Sequence, residues 1–365
     1  MNITLHLTSK CNLNCKYCYV NKSACTNMDF ETAKKSIDMA LGYSKKHIGI
    51  SFFGGEPLLK KDLIQSVIEY TKHLERKHQK SFCFNMTTNG ILLDEQFIKY
   101  SIKENIFISL SMDGTKAAHD YNRIDHKGNG TYDILLEKVK TLIDLCPYTP
   151  VMQTVCINNL DLFYDSVLHL FGLGFMTIIT SVNLSDLWTD KSLLRLKKQY
   201  EKLARLYFQK TDNGDKFYFS PFDTKINSYV DNKRSFEYCD LGLSQVSISP
   251  EGLIYPCIQF VGDKNYIIGN VDKGLDFQKR DEIYKISKES IKQCNECAVK
   301  NRCLSRCSCL IKQTTGSLGS ISPILCSHER MLIPIADKIA EELYKKRSAM
   351  FIHKHYNNYI KSAKD

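Results

Sequence analysis

Six short β-branched runs separated by amphipathic stretches, followed by a cysteine-dense final third, predict an α/β fold with a small α+β module after it. The runs are Ile3–Leu7, Ile48–Phe53, Phe82–Thr87, Ile106–Ser111, Val151–Ile157 and Phe175–Val182. Between them, 31–47, 62–78, 94–104, 131–145 and 161–171 place apolar residues three and four apart, the helical period. Strands alternating with helices pair in parallel through right-handed crossovers. Six such units make an open, partial (β/α)6 TIM-like barrel, whose chemistry sits at the C-terminal ends of the strands.

The stretch from 186 to 235 is polar, with a helical pattern at 190–209 and a strand-like segment at 216–222, and reads as a connector. From Cys239 the composition shifts to cysteine, glycine and short strands, Val246–Ser249 and Leu253–Tyr255. A final helix at 328–346 precedes a tail rich in Lys, His and Tyr. The expected division is therefore 1–185, 186–235, 236–330 and 331–365. No internal repeat or low-complexity segment stands out.

Hydrophobic content of 43% and charged content of 25% are those of an ordinary globular protein. No apolar run reaches the roughly 18 residues of a membrane span, and no export signal opens the chain. Fifteen cysteines without an export signal are better read as reduced ligands and core residues than as disulfides, so the expected compartment is cytoplasmic. The formal charge of +10 does not argue for nucleic acid. Cysteines that ligate a metal do so as thiolates and would offset it, and lysines such as Lys34, Lys35, Lys45, Lys46, Lys197 and Lys198 are scattered on helical faces. A mildly basic surface would still attract an acidic partner.

Directly after the first strand stands Cys11-Asn12-Leu13-Asn14-Cys15-Lys16-Tyr17-Cys18. Three thiolates at this spacing hold three irons of a cubane and leave the fourth free to bind a small molecule. Zinc sites usually offer four ligands in two close pairs, and only Cys25 stands near these three. The run resembles the signature loop of the radical S-adenosylmethionine (SAM) enzymes, including the aromatic Tyr17 before the third cysteine. The strand-end motifs extend that resemblance. Gly54-Gly55-Glu56-Pro57 looks like the element that binds the SAM amino group, since glycines admit a ligand to the backbone and a carboxylate can meet an ammonium. Thr88-Asn89-Gly90 and Ser109-Leu110-Ser111-Met112-Asp113-Gly114 resemble segments lining the SAM site, with Ser111 as the ribose contact. Arg123 is the candidate clamp for the SAM carboxylate, or else a surface ion pair, and Val155–Asn158 the candidate adenine platform.

The second constellation is C-terminal. Cys239 is followed by twelve residues, Gly252, four residues and Cys257; then come Cys294-x2-Cys297-x5-Cys303-x3-Cys307 and finally Cys326. Two zinc ribbons would be the plain alternative. The order matches the SPASM domain, a twin-cluster module of radical SAM enzymes that modify peptides and proteins. That resemblance implies three 4Fe–4S clusters with SAM. It groups Cys294, Cys297, Cys303 and Cys326 on an outer cluster, and Cys239, Cys257 and Cys307 on an inner one that is one ligand short. Sulfatase-maturing relatives carry another cysteine soon after the first of these, but 240–245 here contains none. Either Cys309 is the fourth ligand, or an open iron binds a substrate thiolate; the open site is expected, because residues two apart should point away from one iron. Cys25, Cys83, Cys146 and Cys156 are expected to be buried small hydrophobes.

Ile258 follows Cys257 where sulfatase maturases place an aspartate that can act as base. The resemblance therefore implies a peptide maturase: SAM is reductively cleaved, the resulting radical takes hydrogen from a ribosomally made, cysteine-containing precursor, and a thioether or related crosslink forms. Formylglycine formation by a sulfatase-type maturase is the alternative within enzymology; a non-catalytic iron–sulfur carrier or a zinc scaffold lies outside it. The implied partners are the peptide and a flavodoxin- or ferredoxin-type donor, with no nucleic acid and no membrane. With the first strand beginning at Ile3, a leader would be held by the cysteine-rich region, the C-terminal helix or a separate leader-binding protein.

Overall fold

The computed structural model describes residues 1–20, 25–44, 46–230, 239–292, 294–303 and 307–362. Its first elements are β1 (Asn2–Thr8), α1 (Phe30–Tyr43), β2 (His47–Gly54), α2 (Lys61–His78), β3 (Ser81–Thr88), α3 (Glu95–Lys103), β4 (Ile106–Ser111), α4 (Lys116–Asn122) and α5 (Tyr132–Leu145). Then follow β5 (Val151–Val155), α6 (Phe163–Gly172), β6 (Thr177–Val182), α7 (Asp190–Asp212), β7 (Tyr218–Phe219) and α8 (Ser220–Val230). The last third holds β8 (Gln245–Ile248), β9 (Ile254–Tyr255), β10 (Gly269–Asn270), β11 (Gly274–Leu275), α9 (Phe277–Lys292), α10 (Ser308–Thr315), α11 (Pro323–Lys345) and α12 (Ala349–Ser362). Among the described residues no helix is long and apolar enough to cross a membrane.

The chain divides into two compact units, residues 1–112, 119–149 and 240–288, and residues 113–118, 150–239 and 289–365. In the first, strands lie in the order β4-β3-β2-β1-β8-β9, all parallel except β9. Ile3, Leu5 and Leu7 bury one face of β1, and Thr4, His6 and Thr8 are buried on the other, as expected of a central parallel strand. α1 is opened by Asp29, whose carboxylate accepts from Thr32 N at 2.7 Å, and buries Ala33, Ile37 and Ala40 at helical spacing. The hairpin β8–β9, expected in a separate module, extends this sheet through β1, with Asn2 opposite Gln245 and Leu5 opposite Ile248.

In the second unit β5, β6 and β7 run parallel, and α7, α8, α11 and α12 pack together. The segment 216–222, read as strand-like, gives only two strand residues before Pro221 in the first turn of α8, where its missing N–H costs nothing. The Lys-, His- and Tyr-rich tail forms α12, which buries Phe351 completely. Lys225 and Glu329 form an ion pair in which both side chains are buried. Burial pushes the Glu329 carboxyl up, but bonds from His328 and Lys225 outweigh it and bring it down to about 2. Removing one partner of a buried pair costs about 3–5 kcal/mol, whereas replacing both with apolar residues costs far less. Glu329→Leu is therefore expected to lower Tm sharply and Lys225→Met/Glu329→Leu to recover most of it, measured by calorimetry. Because Glu329 titrates below its ordinary value of 4.5, its contribution is complete above that pH and is lost as pH falls towards 2.

Candidate functional site

The cysteine loop leaves the end of β1 and is held by backbone from the far side of α4. Asn14 N donates to Ile124 O at 2.7 Å, Lys16 N to Asn122 O at 3.0 Å, and Leu13 bridges to Asp125. His126 Nε2 lies 2.8 Å from the Cys11 carbonyl. Leu13 is the loop's buried apolar anchor. Cys11 and Cys15 are half-buried and Cys18 is exposed, so this side of the loop opens outward. The supporting segment 122–126 was missed from sequence apart from Arg123. Its only local signal is the turn chemistry of Asp125, Gly128 and Gly130.

The end of β2 grips the same loop. Thr8 pairs with Gly54 after a register shift in the β1–β2 ladder, Gly55 N donates to Thr8 O at 2.7 Å, and Glu56 N to Lys10 O at 2.9 Å. A Cβ on Gly55 would stand 2.0 Å from Lys10 O, a close approach that requires glycine. Glu56 is buried and accepts from Thr88 Oγ1 at 2.6 Å, Asn89 N at 2.9 Å and Leu58 N at 3.0 Å. Three of a carboxylate's acceptor positions are thereby filled, so Glu56 ties β2 to β3. Burial pushes its carboxyl up to about 6, against these bonds and the nearby Arg123 charge.

Asn89 completes the link: its Nδ2 lies 2.8 Å from Asn12 Oδ1 and 3.7 Å from Cys11 Sγ. Arg123 is buried, with its guanidinium 5.4 Å from the Tyr17 ring centre in a cation–π contact. Ser111 stands half-buried at the last residue of β4. The first unit thus holds Cys11, Cys15, Tyr17, Cys18, Gly54, Gly55, Glu56, Asn89 and Ser111 at or just after the ends of four parallel strands, with Arg123 directly after α4. Val155–Asn158 belongs to the second unit. Three thiol side chains on one loop, two half-buried and one exposed, are soft donors that fit three irons of an iron–sulfur cluster.

Of the second cysteine set, Cys257 lies in the first unit, and Cys239, Cys294, Cys297, Cys303, Cys307 and Cys326 in the second. Cys297 N donates to Cys294 O at 3.0 Å in a tight turn, and Cys326 is close enough to Cys294 and Cys297 to feel their charge. Cys307 immediately precedes α10. Hydrogen bonds from the Cys239 and Cys309 thiols bring it down to about 3, and the same bond with burial raises Cys239. The sulfurs of Cys307 and Cys309 are 3.1 Å apart. This corrects the expectation that residues two apart diverge: Cys307 is extended, with φ −72° and ψ 106°, while Cys309 is in the first helical turn, so strand alternation does not apply. Among the described residues no three Cys, His, Asp or Glu side chains converge as a single metal ion requires. A cubane makes no such demand, because each thiolate meets a different iron.

The background cysteines are corrected as well. Cys156 is buried as expected, but Cys25 and Cys83 are exposed and Cys146 is only half-buried. Cys25 adopts a left-handed φ of 46° after the cysteine loop, and Cys83 falls on the exposed start of β3.

Residues 5–161 match the family model of the radical SAM superfamily. The chain carries a radical SAM domain. Such domains bind a 4Fe–4S cluster and SAM, and the superfamily is one of enzymes. Over 358 residues this chain is 23% identical to the radical SAM cyclopropyl synthase TigE of Paramaledivibacter caminithermalis, covering 91% of this chain and 72% of that one. It is 24% identical over 327 residues to the cysteine-type anaerobic sulfatase-maturating enzyme of Clostridium perfringens, covering 82% and 86%. The solved structure of native anSMEcpe with bound AdoMet and Cp18Cys peptide covers 94% of the chain and is itself covered to 98%, with a TM-score of 0.80 at 20% identity. That likeness shows the fold: α/β, of the partial TIM-barrel type expected from the sequence.

Proposed function

We propose that this radical SAM chain is a peptide maturase that takes hydrogen from a ribosomally made, cysteine-containing precursor and installs a thioether or related crosslink. The observation that carries the reading is the cysteine loop clamped by Gly54–Glu56 and Asn89 in a chain that also holds the seven-cysteine set. Cys11, Cys15 and Cys18 hold the catalytic cluster. Asn89 fixes Cys11, Gly54 and Gly55 open their backbone to the SAM amino group, Arg123 faces its carboxylate and Ser111 its ribose. When bound, the cluster supplies the electron that cleaves SAM and so makes a hydrogen-abstracting carbon radical. The residues around it orient SAM and exclude water.

The second set holds two further clusters, for three in all. The 3.1 Å approach of Cys307 and Cys309, with Cys239 bonded to Cys307, favours Cys309 as the fourth inner ligand over an open iron. Cys309→Ser is then expected to change the electron paramagnetic resonance spectrum of one auxiliary cluster or remove about four irons per chain, and Cys83→Ser to change neither. An unaltered spectrum in Cys309→Ser would restore the open iron. A closed inner cluster takes up an electron and does not dock the substrate thiol, so the crosslinking reading rests on Ile258 in the aspartate's place and on the maturase relatives.

The sulfatase-type reading is kept because the Clostridium perfringens enzyme aligns over most of both chains. Anaerobic incubation with SAM, dithionite and a cysteine-containing peptide encoded beside the gene separates the two. A product two hydrogens lighter that hydrazine fails to trap supports the crosslink; a hydrazone identifies formylglycine. A flavodoxin- or ferredoxin-type protein is the expected donor, and a separate leader-binding protein a candidate partner.

A further inference from the structure

The second unit carries a trough between α7 and α11 that no part of the site above uses. The two helices lie side by side, with Tyr200 Oη and His328 Nε2 2.9 Å apart near one end and Lys346 paired with Asp212 near the other. The trough along them measures about 730 Å³. Lys197, Glu201, Arg205 and Gln209 of α7 recur four residues apart beside it, and Arg330, Pro334, Lys338 and Glu342 of α11 do the same. Each set is one stripe of its helix, about 18 Å long.

The floor is apolar, with Ala204 and Phe208 from α7 and Met331, Ile335 and Ile339 from α11. All but Ile339 are only half-buried, so apolar surface is left facing water along the whole stripe. The rim is charged and unbalanced. Lys338 and Glu342 lie 4.0 Å apart and offset each other. Lys197, Arg205 and Arg330 then stand against Glu201 alone, and among the described residues none of these four belongs to an ion pair. The complementary occupant is apolar on one face and acidic at its edges. It is also a helix. α7 and α11 bond their own backbones and offer no sheet edge to an extended segment, whereas a third helix can lay its apolar stripe between two others.

We propose that this trough is where the precursor peptide docks, through an acidic amphipathic helix of about three turns. The maturase reading supplies only which chain carries that helix; the shape and charge of the trough supply its chemistry. Of the elements expected to hold a leader, α11 is then the one that does so, together with α7. These residues bind and take no part in the reaction.

The test uses reconstituted full-length protein and the labelled cysteine-containing peptide encoded beside its gene, with affinity read by fluorescence anisotropy in the absence of SAM. Hydrogen exchange read by mass spectrometry locates the bound peptide, and protection is expected in 197–209 and 330–342. Arg205→Glu/Arg330→Glu is expected to weaken binding about ten-fold at low salt and to flatten its salt dependence. Lys198→Glu/Lys202→Glu makes the same charge change on α7 outside the trough, and is expected to leave the affinity within about two-fold. All four replaced side chains are exposed, so both variants should fold, which their Tm values check. Equal weakening by the two variants would reduce the effect to overall charge, and protection confined to other segments would move the docking site. Protection of both segments without peptide, rising with protein concentration, would give the trough to a second copy; protection by a flavodoxin-type donor but not by the peptide would give it to the donor. Each of these results, or no peptide binding at all, would overturn the proposal. Binding is read without SAM, so failure of the maturase reading, seen as absent 5′-deoxyadenosine, remains distinguishable.

Discussion

Replacing Cys18 with alanine is expected to reduce SAM cleavage to the level of a protein-free control and to lower bound iron by about four per chain. The reasoning is specific to this position. Cys18 is exposed, so truncating it opens no cavity and removes little buried surface. Fold stability should be unchanged while the cluster is lost, and the two are separated by measuring Tm, iron and 5′-deoxyadenosine on one preparation. Retention of full iron with normal cleavage would remove Cys18 from the ligand set.

Gly55→Ala is expected to reduce SAM cleavage about 100-fold, although the added methyl touches neither iron nor SAM. The new Cβ would stand 2.0 Å from Lys10 O and 2.5 Å from its carbonyl carbon, both backbone, so Lys10 must move and Cys11 with it. Misplacement of about 1 Å costs reactions of this kind about 100-fold. Gly42→Ala is the control: nothing lies within 4 Å of its added Cβ, and in α1 alanine is the better helix former. Comparable cleavage in the two variants would mean that the Gly54–Glu56 turn does not set the position of the cysteine loop.

The parts of the fold legible in sequence were those with period. All six predicted strands appear, from Ile3 to Val182, because β-branched runs flanked by helical periodicity leave little ambiguity. What escaped was short or without period. α10 has eight residues, and β7 stops after two at Ser220-Pro221. The hairpin β8–β9 pairs with β1 across more than 200 residues of sequence, a long-range contact that no local pattern announces. At the site, glycines and cysteines were legible because their chemistry demands those residue types. The backbone support from 122–126 was not, since carbonyls and amides leave no residue signature. The direction of the Cys309 side chain was misjudged by carrying strand alternation across a helix start.

The central claim is that this chain spends a SAM-derived radical on a peptide. It is tested most directly by quantifying 5′-deoxyadenosine from anaerobically reconstituted protein given SAM and dithionite, with and without the cysteine-containing peptide encoded beside its gene. Release that rises with peptide, accompanied by product two hydrogens lighter, is the expected result. Release that never exceeds the protein-free control, or that occurs with the peptide mass unchanged, would contradict it.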